Sequence, residues 1–351
     1  MAKTRIGLDV GSTAARAVEI NVAADPPVLV RAAQVPMQPG AIENGEVRQP
    51  EAVTEALKEL WRRGGFKNRQ VYMGVGNQRV VVREVALPWL PLKELRESLP
   101  YQVQEFIPIA VEDAVLDFDA LDEFEQDGRR MIRVLLVAAQ KAMIEGLVGT
   151  ATAARLEPMG LDLIPFALIR SIGHANGSVM EEEVEEALID VGADITSICV
   201  HSHAVPRFVR ILPSGGNDIT LAVARALGVP EDEADRMKRG EVVEGGPNPA
   251  DAQRVAQGRT VSFVDEIRSS LEFYAAQSPG SRIGRLRVTG GGSKLPGFLQ
   301  LLTERLGTQA EPGGVFGRVR PDLDLSPEAL AEAEPLLAVA VGLALPGGAQ
   351  K

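Results

Sequence analysis

The sequence predicts an α/β protein of two related lobes that face each other across a cleft, with a smaller subdomain inserted in the first. Three observations carry this. Strand-like and helix-like runs alternate along all 351 residues. The stretch LDVGSTAARAVEI near the start returns as IDVGADITSICV, so Asp9-Val10-Gly11 recurs as Asp190-Val191-Gly192 half a chain later. A helix, hairpin, helix segment over residues 79–156 interrupts the alternation.

Each element has its own signal. Runs 6–10, 14–20 and 28–35 read as strands joined by short turns. Residues 50–63 space Val53, Leu57 and Leu60 as a helix does, and Gly64-Gly65 stops it. Residues 71–75 are a strand, and Gly76 turns the chain into 80–86. The inserted segment holds a helix over 92–106 that Pro108 ends, strands over 114–124 and 131–139, and a helix over 141–156. A strand over 161–164 and a helix over 165–175 follow. Residues 180–186, MEEEVEE, are a charged surface run. The second half restarts at 187–200. The expected division is a first lobe of 1–78 and 157–186, onto which a C-terminal helix over 332–345 packs back. The inserted subdomain covers 79–156, the second lobe 187–228 and 283–331, and a small helical subdomain of that lobe 229–282.

Composition narrows the function. Hydrophobic residues make up 45% and charged residues 24%, as in ordinary globular chains. The formal charge of −11 argues against nucleic-acid binding through a broad basic surface, though not against a local phosphate pocket. A single cysteine, Cys199, excludes an internal disulfide and a multi-thiolate zinc site, and it reads as a small core residue. His174 stands alone, and His201 and His203 alternate on one strand. The N-terminus lacks a signal-peptide pattern, and the C-terminal apolar run ending at Pro346 is too short to span a bilayer and has no basic face. A soluble cytoplasmic chain is the expectation.

Five stretches point to a phosphate-bearing ligand. Gly11 and Gly192 lack Cβ, so the backbone of each DVG hairpin turns tightly and its amides can point at phosphate oxygens. Ser12, Thr13, Ala193, Asp194 and Thr196 complete the two turns, with side-chain donors or acceptors at all but Ala193. Asp9 and Asp190, at the strand ends, are placed to hold Mg²⁺, through water, and Asp190 is the candidate for orienting an attacking water. Gly290, Gly291 and Gly292 open a flat slot for a planar base at a strand–helix junction, with Ser293 as candidate cap of a helix beginning near Pro296. Asp235 and Lys238, three apart on one helix, are a candidate pair for one ligand. Gly215, Gly216 and Asn217 precede a helix whose N-terminus favours an anion. Arg16 reaches a phosphate or faces solvent; the sequence does not choose.

Together these stretches resemble the actin-like ATPase superfamily. Its phosphate hairpins look like residues 9–13 and 190–196, its adenosine motif like 288–296, and its ribose- and base-contacting pair like Asp235 and Lys238, with Asp for the usual Glu. The resemblance implies an actin-like bilobal fold of two duplicated ribonuclease-H-like lobes with an FtsA-type inserted subdomain. It also implies ATP and Mg²⁺ in the cleft and at most slow ATPase activity. Within the superfamily, YQVQEFIPIAVEDAVLDFDAL resembles the PilM family of type IV pilus assembly proteins, in which a helix ends at a Phe-Ile-Pro turn before an acidic strand. Here those are Phe106, Ile107, Pro108 and Asp117. That likeness implies a groove between first lobe and inserted subdomain for the N-terminal cytoplasmic tail of PilN, and recruitment to the membrane through that partner. It leaves open contacts with other pilus platform and motor proteins. The competing likeness is to FtsA, a filament-forming cell-division ATPase that usually carries a C-terminal amphipathic membrane helix, which PGGAQK is not. A small-metabolite kinase is the weaker alternative.

Overall fold

The computed structural model describes residues 3–173, 184–278 and 280–347. His174 and residues 180–183 of the charged run lie outside them. The chain opens as a meander of β1 (Thr4–Val10), β2 (Ala14–Asn21) and β3 (Val28–Pro36). A short hairpin of β4 (Ile42–Glu43) and β5 (Glu46–Val47) leads to α1 (Pro50–Gly64). Val53, Leu57 and Leu60 of α1 are buried, and Gly65 ends the helix at a left-handed φ of 62°. Next, β6 (Gln70–Val75) pairs parallel with β1. The inserted segment runs through β7 (Val81–Pro88), α2 (Leu92–Gln102), β8 (Ala114–Gln126) and β9 (Arg129–Gln140), with strand order β7-β9-β8. Then come α3 (Lys141–Ala153), β10 (Glu157–Leu163), parallel to β6, and α4 (Ile164–Ser171).

The second half repeats the first. Its meander is β11 (Glu185–Val191), β12 (Thr196–Ser202) and β13 (Val205–Leu212). Three helices follow: α5 (Gly216–Leu227), α6 (Glu231–Lys238) and α7 (Pro249–Gln277). The chain ends with β14 (Ile283–Thr289), α8 (Phe298–Leu306), β15 (Ala310–Pro312), β16 (Arg320–Pro321) and α9 (Pro327–Ala344). Strands run β3-β2-β1-β6-β10 in the first sheet and β13-β12-β11-β14-β15 in the second. Both have two antiparallel joints and then two parallel ones. The DVG repeat therefore marks a duplicated sheet. β16 breaks the symmetry by crossing back to pair with β3.

Several boundaries differ from the sequence expectation: β10 begins at Glu157 and not at 161, α4 ends at Ser171 and not at 175, and α9 begins at Pro327 and not at 332. α2 ends at Gln102 and not at 106. Pro108 bars the helix at its own position, through its missing N–H and its clash with the carbonyl four residues back, and at its predecessor, but the helix ends well before it. The backbone leaves the helical conformation at Val103, at φ −103° and ψ 0°, where the last helical bond runs from its amide to the Leu99 carbonyl and its side chain is buried with Leu95 and Leu99. α3 likewise ends at Ala153, where Arg155 takes a left-handed φ of 63°. Ala151, Ala154 and Leu156 pack with Val53 and Leu57 into the core of the first sheet, so the end of this segment belongs there by packing. The helix expected near Pro296 begins at Phe298, and Ser293 does not cap it; the Ser293 hydroxyl donates back to the Gly290 carbonyl at 2.7 Å.

α6 and α7 share one core with the second sheet: Ala234, Met237, Phe263 and Ile267 pack with Val191 and Val288. α9 joins the two halves. Its C-terminal part lies so close on β1 that a Cβ on Gly7 would overlap the Ala340 carbonyl oxygen, and one on Gly342 the Ala167 carbonyl. Its N-terminal part meets the second lobe at Pro335, whose carbonyl accepts from the Gly290 amide at 3.0 Å and the Thr289 hydroxyl at 2.9 Å. Among the described residues no helix is long and apolar enough to cross a membrane.

Candidate nucleotide site

The two DVG hairpins, the Gly290–Gly292 turn and the α5 and α6 ends line one cleft of about 820 Å³ between the sheets. The hairpins are built alike. The Gly11 amide donates to Ala14 at 3.0 Å, and the Gly192 amide donates to Ile195 at 2.9 Å. Outward-facing carbonyls are taken by each hairpin's own lobe. Met37 donates to Thr13 at 2.9 Å, Gly216 to Gly192 at 3.0 Å and Asn217 to Ala193 at 2.8 Å. The backbone amides of Ser12, Thr13, Ala193 and Asp194 then have no protein acceptor among the described residues. Such amides at a turn form a concavity for an anion.

Asp9 and Asp190 lie at the floor. Burial pushes the Asp9 carboxyl up, against the charge of Arg16. Burial and the negative charge of Asp9 push Asp190 up to about 7, again against Arg16. Two acids whose ionisation is disfavoured, in a cleft whose turn amides lack protein acceptors among the described residues, form a site suited to a cation and an anion together. No cluster of three or more His, Cys, Asp or Glu occurs among the described residues. A metal here would take most of its ligands from water and from the bound anion, which suits Mg²⁺.

Several expected site residues have other duties. Thr196 is fully buried and donates to the Ser214 carbonyl at 2.8 Å, so it is not a cleft donor. The Gly216 and Asn217 amides are spent on the hairpin, so the α5 N-terminus locks Gly192-Ala193 in place and does not itself meet an anion. Gly215 allows that lock: a Cβ there would come within 2.5 Å of the Ala193 carbonyl oxygen and 2.6 Å of that of Gly192. Asn217 also donates to Asp194 at 3.1 Å.

Asp235 and Lys238 do sit side by side at the cleft wall, 2.6 Å apart. They are not two free arms. Lys238 is 8% exposed and also donates to Thr220 at 2.7 Å and Gly216 at 3.1 Å, which uses its three protons. Burial pushes Asp235 up, but the bonds and charges of Lys238 and Arg239 outweigh it and hold the carboxyl below its ordinary value.

The glycine turn fits a flat group. Gly290 takes φ 83°, and a Cβ there would come within 2.5 Å of Asp190 Oδ1. A Cβ on Gly291 would meet only Leu336, at 3.6 Å. Lys294 bridges the rim to Glu332 at 2.6 Å. Of the expected partner residues, Ile107 is buried in the inserted core, Phe106 packs against it half-buried, and Pro108 is exposed. Sequence reading missed the cleft wall residues Ile164, Leu336 and Val339, which come from α4 and α9 and carry no motif. It also left Arg16 unplaced; with Gly11 facing Ala14 across the Ser12-Thr13 turn, the strand register sets it opposite Asp9.

Comparisons with known proteins bear on the fold and the family. The cell division protein FtsA of Bacillus subtilis is 21% identical over 346 residues, covering 86% of this chain and 76% of FtsA. MreB5 of Spiroplasma citri, solved bound to ADP, matches at a TM-score of 0.55 with 11% identity, over 97% of this chain and 94% of that one, a likeness of fold alone. The fold is thus the actin-like α/β one. A solved PilM–PilN type IV pilus biogenesis complex matches at a TM-score of 0.83 with 31% identity over 98% of each chain. The family model of type IV pilus assembly protein PilM matches residues 7–347. With duplicated sheets, inserted segment and matched length in accord, the chain belongs to the PilM family of type IV pilus assembly proteins.

Proposed function

We propose that this chain is a nucleotide-dependent adaptor of the pilus machinery, binding ATP with Mg²⁺ in the cleft and an N-terminal PilN tail on its outer surface. The observation that carries the nucleotide reading is the pair of facing hairpins, whose amides at residues 12–13 and 193–194 have no protein acceptor among the described residues, above two half-buried carboxylates. In this reading the amides hold the phosphates, Asp9 and Asp190 hold the hydrated Mg²⁺, and the base lies over Gly291 beside Leu336. Mg²⁺ supplies charge neutralisation of the phosphates when bound. Turnover is slow at most, since Asp190 is the single candidate for orienting water.

Calorimetry of ATP binding, with and without Mg²⁺, tests this. Asp9→Ala and Gly291→Val are each expected to weaken binding roughly tenfold or more, the first by removing a cation ligand, the second by filling the base slot. Unchanged affinity in both variants overturns the site.

The partner reading rests on the likeness to the PilM–PilN complex and on the Phe106–Pro108 turn. A groove between the first lobe and residues 79–156 would take an extended tail, and a membrane-held partner would bring the chain to the cytoplasmic face. A peptide copying the N-terminal tail of a candidate PilN should bind saturably. Phe106→Ala should weaken that binding while thermal melting shows the fold intact; equal binding by both proteins sinks the placement.

A further inference from the structure

Strand pairing sets Arg16 opposite Asp9 on β1 and opposite Gln34 on β3. Its Nε donates to Gln34 Oε1 at 2.8 Å, which holds the near edge of the guanidinium. Its Nη1 stands 3.6 Å from Asp9 Oδ2, close enough for charge attraction and too far for a hydrogen bond. The Arg16 side chain is 16% exposed and faces the cleft. Its charge bears on both Asp9 and Asp190.

The other cations lining the cleft are engaged elsewhere. Lys238 is used by Asp235, Thr220 and Gly216, Arg239 pairs with Asp235, and Lys294 pairs with Glu332. The duplicated position in the second lobe, facing Asp190, is Ser197, which carries no charge. Arg16 is therefore the cation of the cleft lining that faces the two floor acids.

We infer that Arg16 stands in for the divalent cation while the cleft is free of nucleotide, and so makes cation binding conditional on nucleotide. This rests on the ATP–Mg²⁺ reading of the same cleft. A divalent cation arriving alone meets a positive group already beside Asp9, and two carboxylates whose charge that group offsets. Phosphates change the balance. A guanidinium forms paired, charge-assisted bonds with phosphate oxygens, which are stronger than a 3.6 Å contact with one carboxylate. Arg16 then turns to the phosphates, and Asp9 and Asp190 are released to the cation that arrives with them. The guanidinium turns as one rigid plane, with Nε beside the Gln34 amide oxygen at the pivot.

The probe is Mn²⁺, read by the loss of its free electron-spin resonance signal on addition of the full chain. Without nucleotide, Arg16→Gln and Arg16→Met should bind Mn²⁺ roughly tenfold or more tighter than the unaltered protein. Arg16→Lys keeps the charge and should restore the unaltered behaviour. Adding Asp9→Asn to Arg16→Gln should abolish the gain. Two results overturn the inference: Mn²⁺ affinity unchanged in both neutral variants, or Mn²⁺ bound by the unaltered protein as tightly alone as with ADP. Failure of the unaltered protein to bind ATP–Mg²⁺ at all would instead remove the nucleotide reading.

Discussion

Asp190 has a consequence for stability as well as its place in the proposed nucleotide site. Its carboxyl is raised to about 7 by burial and by Asp9, so the free folded protein holds that proton where the unfolded chain has lost it. Stability from this group is therefore full below the unfolded value near 4 and is lost as pH rises toward 7. Thermal melting of the free protein should show a decline from pH 5 to pH 8, and Asp190→Asn should flatten it. Asp9 shifts in the same direction, so a smaller slope should remain. Identical slopes in both proteins would sink this account. The same shift predicts that ATP–Mg²⁺ binding tightens over that range, because the cation needs the ionised form.

Elements of the cleft depend on close approach more than on side-chain donors. The second hairpin is held by α5, through Gly216 and Asn217, and Gly215 leaves room for that contact. Gly215→Ala is expected to push the hairpin off the helix and cost about 1–3 kcal/mol, as overpacking does. Denaturant melts should read the loss, and calorimetry should show weaker ATP binding; a neutral result in both would remove the lock from the account. The sequence marked these glycines as an anion-binding helix start, because Gly-Gly-Asn before a helix reads that way. Which amides were already paired was not legible. The pairing comes from a hairpin more than twenty residues upstream, and no local pattern records it.

Across the whole molecule, α9 ties the lobes together. One part touches the glycine turn at Gly290 through the Pro335 carbonyl, and the other lies directly on β1, the strand that carries Asp9. In the proposed reading, nucleotide contacts at either end would therefore act on one helix. Gly7→Ala should wedge α9 from β1, since its Cβ would overlap the Ala340 carbonyl. The expected loss is about 1–3 kcal/mol or more, with weaker ATP binding although Gly7 lies outside the cleft. Saturating nucleotide should raise the melting temperature of the unaltered protein more than that of Gly7→Ala, by ligand linkage. Equal rises would separate α9 from the site.

By itself the sequence determined the class of protein. Alternating runs and the repeated Asp-Val-Gly turn are local signals, set by strand period and by the conformational freedom of glycine, and they identified both sheets and both floor acids. The Phe-Ile-Pro stretch pointed to the family. Tertiary structure alone decided which polar groups stay free. It spent Thr196 on Ser214 and the α5 amides on the hairpin, closed Lys238 on three acceptors, and buried Ile107. It also set Arg16 between Asp9 and Gln34. The reason is physical: a residue's type states what it can bond, but its partners are chosen by groups distant in the chain that packing brings within 3 to 4 Å.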